Sequence, residues 1–197
     1  ATKIAESSND IASIALATFA RGTLDSGTGP FDRSSRSLDR SAAAFRGIGD
    51  IRGWAGPTCY SYWVDYWQGN LPALARKAVE LVDVGDGAAD PHVTCAGLNG
   101  LGLSKVTTGP LDQAAAHLSK GRELCMMITS YRFQAGIGGQ LGKCRLRQGR
   151  LSEASAILDE SIGLIDGKGM RGMWSSDTFN AFAGLCLART ERQQGAE

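Results

Sequence analysis

Four glycines spaced 40 residues apart constrain this chain's fold more than any other feature of its sequence. They stand in Gly29-Pro30-Phe31, Gly69-Asn70-Leu71, Gly109-Pro110-Leu111 and Gly149-Arg150-Leu151, each followed two positions later by a large apolar residue. A fixed period of this length marks supersecondary units that bury their apolar faces against their neighbours. Seven residues before each turn glycine come Gly22, Tyr62, Gly102 and Gly142; five after it come Ser34, Leu74, Ala114 and Ala154; nine after it come Leu38, Ala78, Leu118 and Leu158. A small residue on each side of the turn lets two antiparallel helices approach closely, and the larger residues fill the seam.

The flanking segments carry helical periodicity. Between Arg150 and Asp166 the apolar residues are Leu151, Ala154, Ile157, Leu158, Ile162 and Ile165, three or four apart. The second helices end near paired glycines, Gly47/Gly49, Gly85/Gly87 and Gly167/Gly169, which predicts left-handed stops there. Asp90-Pro91 supplies an N-cap and a first-turn proline. The fold expected is all-α: an α-solenoid of antiparallel helix pairs, in one domain over residues 1–197. Its repeats run over about 9–49, 50–89, 90–129 and 130–169, with a partial fifth over 170–197.

These positions resemble those of the tetratricopeptide repeat (TPR), in Leu141-Gly142 … Gly149-Arg-Leu151-Ser-Glu-Ala154 and in Leu101-Gly102 … Gly109-Pro-Leu111-Asp-Gln-Ala114. The first two repeats depart from the pattern: Tyr62 replaces the small residue, and Ser34 and Leu74 replace alanine. The period also exceeds the family's own, so each repeat carries extra helical turns. Long glycine-rich repeats of this kind are similar to those of large bacterial signalling proteins, such as class III nucleotide cyclases and ATPase-linked transcription regulators. The resemblance covers residues 10–197 and specifies architecture far better than function.

Composition narrows the function classes. The 197 residues are 43% hydrophobic and 21% charged with a net charge of +1, which argues against a nucleic-acid surface and its concentrated basic excess. No apolar run approaches the length of a membrane span. Gly136-Ile-Gly-Gly-Gln-Leu-Gly-Lys143 imitates a phosphate loop, but Ile137 takes the first glycine position and Cys144 the magnesium-binding hydroxyl. His92 and His117 lack companions at ligand spacing. Neither a cofactor, a metal nor a catalytic residue is expected, so the chain is expected to be no enzyme. The five cysteines, Cys59, Cys95, Cys125, Cys144 and Cys186, are odd in number and show no C-x-x-C. They are expected to be reduced thiols in a cytoplasmic setting.

In tetratricopeptide arrays the first helix of each pair lines a concave groove. Carried over residue by residue, the resemblance implies that Leu16, Phe19 and Thr23 face it in the first repeat. Cys59, Trp63, Tyr66 and Trp67 face it in the second, Asn99, Leu103 and Thr107 in the third, and Lys143, Leu146 and Arg147 in the fourth. The resemblance therefore implies a groove with aromatic and basic ends, suited to an extended peptide with an apolar anchor and a carboxylate. The function expected is a protein-interaction, sensing or scaffold module of a larger signalling protein. The alternative is a small-molecule-binding or enzymatic helical domain with a pocket between helices. At the C-terminal end, Phe179, Phe182, Ala183, Cys186 and Leu187 read as the first helix of a fifth repeat, with Ser175-Ser-Asp177 as its cap and Gly195 at the next turn. No second helix follows, and the chain begins Ala1-Thr-Lys without methionine. It is therefore expected to be a piece of a longer protein, its last helix covered by two-fold self-association.

Overall fold

The computed structural model describes residues 10–170, 178–179, 181–186 and 189. The calls on Ala1-Thr-Lys, on Ser175-Ser-Asp177 and on Gly195 lie outside the described residues. The described helices are α1 (Ile11–Thr28), α2 (Phe31–Gly47), α3 (Ile51–Trp67), α4 (Leu71–Gly87), α5 (Pro91–Thr108), α6 (Leu111–Met127), α7 (Tyr131–Arg147) and α8 (Leu151–Gly167). Residues 178, 179, 181–186 and 189 are helical as well, and no strand occurs among the described residues. The architecture is the all-α helical repeat that the glycine period predicts. The chain packs as two compact units, residues 1–100 and 101–197.

In the first unit, α1 and α2 are antiparallel. The Ser34 hydroxyl donates to the Gly22 carbonyl at 2.8 Å, and the Ser41 hydroxyl donates to the Ala15 carbonyl at 2.7 Å. Both serines are fully buried on the helix face opposite α1, so two polar groups that would be costly if unpaired fasten the pair instead. A methyl group at Gly22 would stand 2.8 Å from Leu38 Cγ, so the glycine sets the separation of the two helices. In the second unit Gly142 does the same against Leu158, where a methyl would lie 2.5 Å from Cγ. In the second repeat the sizes are exchanged. Tyr62 is fully buried, Ala78 takes the place of leucine, and Gly100 lies against both: a Cβ there would come within 2.8 Å of Ala78 Cβ and 3.2 Å of the Tyr62 ring.

The two helices of a pair differ in burial. The buried residues of α2 are Ser34, Leu38, Ser41 and Phe45, and those of α8 are Ala154, Leu158, Ser161 and Ile165, one stripe each. By contrast α3 buries every residue from Cys59 through to Asp65 except Tyr60, and α7 buries every residue from Ile137 through to Leu141. Such helices are covered all round and show no amphipathic stripe. The phosphate-loop imitation lies within α7: Gly138 meets Ser161, Gly139 meets Thr178 and Gly142 meets Leu158. Its glycines serve helix packing.

All four predicted turns form, with φ of 135° at Gly29, 76° at Gly69, 117° at Gly109 and 73° at Gly149. A second series, also 40 residues apart, links each pair to the next: Gly49 (74°), Ala89 (50°), Thr129 (54°) and Gly169 (65°). The expected stop at Gly85/Gly87 is corrected, because the left-handed residue there is Ala89. Left-handed backbone costs a non-glycine residue about 1–2 kcal/mol, partly offset in a glycine variant by a freer unfolded chain. Thr129→Gly and Ala89→Gly should each stabilise the protein by about 0.5–1 kcal/mol in chemical denaturation, with the β-branched Thr129 gaining more.

The thiol reading is also corrected. Cys95 and Cys125 are disulfide-bonded, and both are fully buried. Cys59 and Cys144 are buried thiols and Cys186 is an exposed one. Cysteine spacing along the sequence carries no signal of either state. At the C-terminal end, Ala181 and Leu185 join Ala154 and Leu158 in a core cluster against which Phe182 packs. Phe179 is 37% exposed.

Candidate functional site

Each helix pair carries an ionisable residue four positions before its turn glycine: Asp25, Asp65, Lys105 and Arg145. The Asp25 carboxylate is 3% exposed and binds Arg33 at 2.7 Å and Arg21 at 3.1 Å. Its hydrogen bond to Arg33 holds its pKa below the ordinary carboxylate value, against the opposing effect of desolvation. Asp65 takes Lys77 at 2.7 Å, one helical turn further on, because Ala73 stands at the position of Arg33. Arg145 meets Glu153 at 3.4 Å, the same geometry as Asp25 with Arg33 but with the charges exchanged. At the third position Lys105 stands near His117, whose pKa is lowered by burial first and then by Lys105 and Lys120. Asp25, Asp65 and Arg145 tie helices together, and no cluster of ligands that could hold a metal occurs among the described residues.

The aromatic residues of α3 form a second cluster, in the first unit. Tyr62 lies at the centre of a buried polar network: its hydroxyl donates to the Ala96 carbonyl at 3.1 Å and accepts from Asn99 Nδ2 at 3.2 Å. The Cys59 thiol donates to the same oxygen at 3.3 Å. Trp63 packs at 6.0 Å on Tyr62, at 5.7 Å edge-on to Tyr66 and at 6.0 Å on Trp67. Trp67 in turn stacks on Phe31 at 6.1 Å with 25° between the rings. Trp67 is 39% exposed while Trp63 is 6% exposed, so the aromatic chain runs from the interior to the surface. Phe19 meets Tyr60 edge-on at 5.3 Å.

The residues singled out from sequence therefore divide. Cys59, Trp63, Asn99 and Leu103 are interior, Phe19, Tyr66 and Lys143 are half-buried, and Trp67 and Arg147 are exposed. Arg147 donates to the backbone carbonyl of Val106, so part of its donor set is used internally. Phe31 was not among the residues singled out, although it follows the first turn glycine by two positions as Leu71, Leu111 and Leu151 follow theirs. An aromatic ring at a position otherwise held by leucine was the available signal. In the second unit a depression of about 630 Å³ is lined by Gly109, Pro110, Leu111, Asp112, Gln113, Gln148 and Arg150. Asp112 accepts from Gln148 at 2.8 Å and Arg150 donates to Glu153 at 2.6 Å, so its polar groups bond to one another or to the rim.

No helix among the described residues is long and apolar enough to cross a membrane. No protein-family model matches the chain, and none of the curated proteins matches it.

Proposed function

We propose that this chain is a non-catalytic protein-interaction module of tetratricopeptide-like kind, a scaffold or sensing segment of a larger signalling protein. The observation that carries this reading is the Trp67–Phe31 stack. A partly exposed indole stacks on a phenyl ring and is backed by Trp63, which itself packs edge-on to Tyr66. Aromatic anchors immobilised before binding cost little to order, and tryptophan and tyrosine dominate binding energy at protein interfaces. The fitting ligand is an extended or helical peptide with one large apolar side chain to lay on the indole. The small-molecule reading has the 630 Å³ depression in its favour, but the internal pairing of Asp112 and Arg150 leaves fewer groups for a solute. A cytoplasmic placement is not carried forward, since Cys95 and Cys125 are disulfide-bonded.

Trp67→Ala should leave the fold intact and weaken binding of a natural partner by about 1–3 kcal/mol in calorimetric titration. Unchanged affinity for every partner recovered with the wild-type protein would remove the stack from the binding surface.

A further inference from the structure

In three of the four repeats the charge four residues before the turn is met by an opposite charge at one of two places on the second helix. Four residues after the turn glycine stand Arg33, Ala73, Gln113 and Glu153; eight after it stand Ser37, Lys77, His117 and Ile157. Asp25 takes Arg33 from the first place, Asp65 takes Lys77 from the second, and Arg145 takes Glu153 from the first. Lys105 is offered Gln113 and His117, neither of which is an acid. The place itself is poorly solvated. The matching side chains of Asp25, Asp65 and Arg145 are 3%, 9% and 17% exposed, and Lys105 is half-buried. A charge withdrawn from water at such a seam needs a counter-charge, and the third repeat has none of its own.

The neighbouring helices of the second unit supply none either. Gln113, His117 and Lys120 follow one another at four- and three-residue spacing along one face of α6, and Gly102 lies against Leu118, bringing α5 close to that helix. None of Lys105, His117 and Lys120 forms an ion pair among the described residues. Neither α5 nor α7 contains an aspartate or a glutamate. The latter packs on α6 through Gln134 and Cys144 and adds only cations: Arg132, Lys143, Arg145 and Arg147. From α8, Glu160 reaches α6 but is taken by Arg122. On α6 itself Asp112 is bonded to Gln148, and Glu123 stands six residues beyond His117, about a third of a turn away from its face. The charges that bear on the His117 imidazole are those of Lys105 and Lys120, which act together with burial to lower its pKa. Gln113 and Lys120 are exposed, so the cluster opens to solvent and a solute can reach it.

We propose that Lys105, Gln113, His117 and Lys120 form a binding site for a phosphate group, which supplies the negative charge that the third repeat lacks. The donors choose between oxyanions. Two ammonium groups and an imidazole N–H are separate point donors suited to a tetrahedral group, whereas a planar carboxylate is matched by the fork of an arginine, and no arginine belongs to the set. The site shares no residue with the Trp67 stack and does not depend on it. The test follows both histidines by NMR at constant ionic strength, with inorganic phosphate, a short phosphoserine peptide, and acetate as the control. Phosphate should bind the protein with His117 protonated about tenfold more tightly, and so raise the pKa of His117 by about one unit while leaving His92 unmoved. Gln113→Glu sets an acid where Glu153 stands toward Arg145. It should weaken phosphate binding by about tenfold or more with an unchanged circular dichroism spectrum, and Lys105→Gln should do the same. Tighter binding of the peptide assigns the group to a phosphorylated chain, and the reverse order to a free phosphate; either result supports the site. Equal shifts at His92 and His117, an effect of acetate as large as that of phosphate, or full binding by Gln113→Glu would overturn it, leaving only general attraction of anions to a basic surface.

Discussion

Tyr62→Ala should lower the unfolding free energy of the protein by about 3–5 kcal/mol, the range for deleting a large buried aromatic side chain. The ring is fully buried, and its hydroxyl is the meeting point of Cys59, Asn99 and the Ala96 carbonyl. Truncation therefore leaves both a cavity and polar groups without their partner. The repeat itself suggests the rescue. Other pairs fill this seam with a glycine before the turn and a leucine after it, as at Gly22 with Leu38 and Gly142 with Leu158. Ala78→Leu alone should be destabilising by about 1–3 kcal/mol through overpacking against Tyr62. Tyr62→Gly combined with Ala78→Leu should be more stable than the sum of the two single changes predicts, by more than about 1 kcal/mol. Urea titration of the four proteins measures this, and strict additivity would show that the residues do not share one space.

The second large effect concerns a glycine with no conformational reason to be one. Gly85 lies inside α4, where alanine would ordinarily gain about 0.5–1 kcal/mol. A Cβ there would run into the backbone nitrogen of Thr94 and stand 2.9 Å from its Cα. No rotamer change relieves a collision with backbone, so α4 and the start of α5 must move apart. Gly85→Ala should cost about 2–3 kcal/mol after the helical gain is subtracted, at the upper end of overpacking effects. Gly163, in α8, is the control. Nothing lies within 4 Å of a Cβ built there, and Gly163→Ala should stabilise by about 0.5–1 kcal/mol. Thermal unfolding should shift in opposite directions for the two variants. A shift in the same direction would show that the close approach at Thr94 does not govern the response.

The sequence discloses the repeat because two kinds of residue report geometry almost without ambiguity. A glycine at Gly29, Gly69, Gly109 or Gly149 reports a backbone turn, and a glycine at Gly22 or Gly142 opposite Leu38 or Leu158 reports a close approach. Where another residue accepts the same geometry, the signal disappears. The links at Ala89 and Thr129 adopt the conformation of Gly49 and Gly169, yet no pattern in the letters marks them. Burial of the aromatic groove set was hidden for a different reason. Periodicity separates a wet face from a dry one, but α3 touches α1, α2, α4 and α5, so the pattern of its letters does not reveal that Cys59 and Trp63 are buried. The disulfide-bonded state of Cys95 and of Cys125 has no counterpart in cysteine spacing either.

The charge four residues before each turn has a consequence for how such a chain finds its structure. Hairpins of one length and one hydrophobic spacing are nearly interchangeable, and a first helix could capture the wrong second helix as the chain collapses. Asp25 joins Arg33, whereas Arg145 joins Glu153. Exchanging partners would set Asp25 against Glu153 and Arg145 against Arg33, like charge on like charge at the edge of a buried seam. Asp65 reaches Lys77 one turn further along, where the first repeat offers Ser37 and the third His117. The native pairing is then marked against its competitors by repulsion in the mistaken hairpins as much as by attraction in the correct ones.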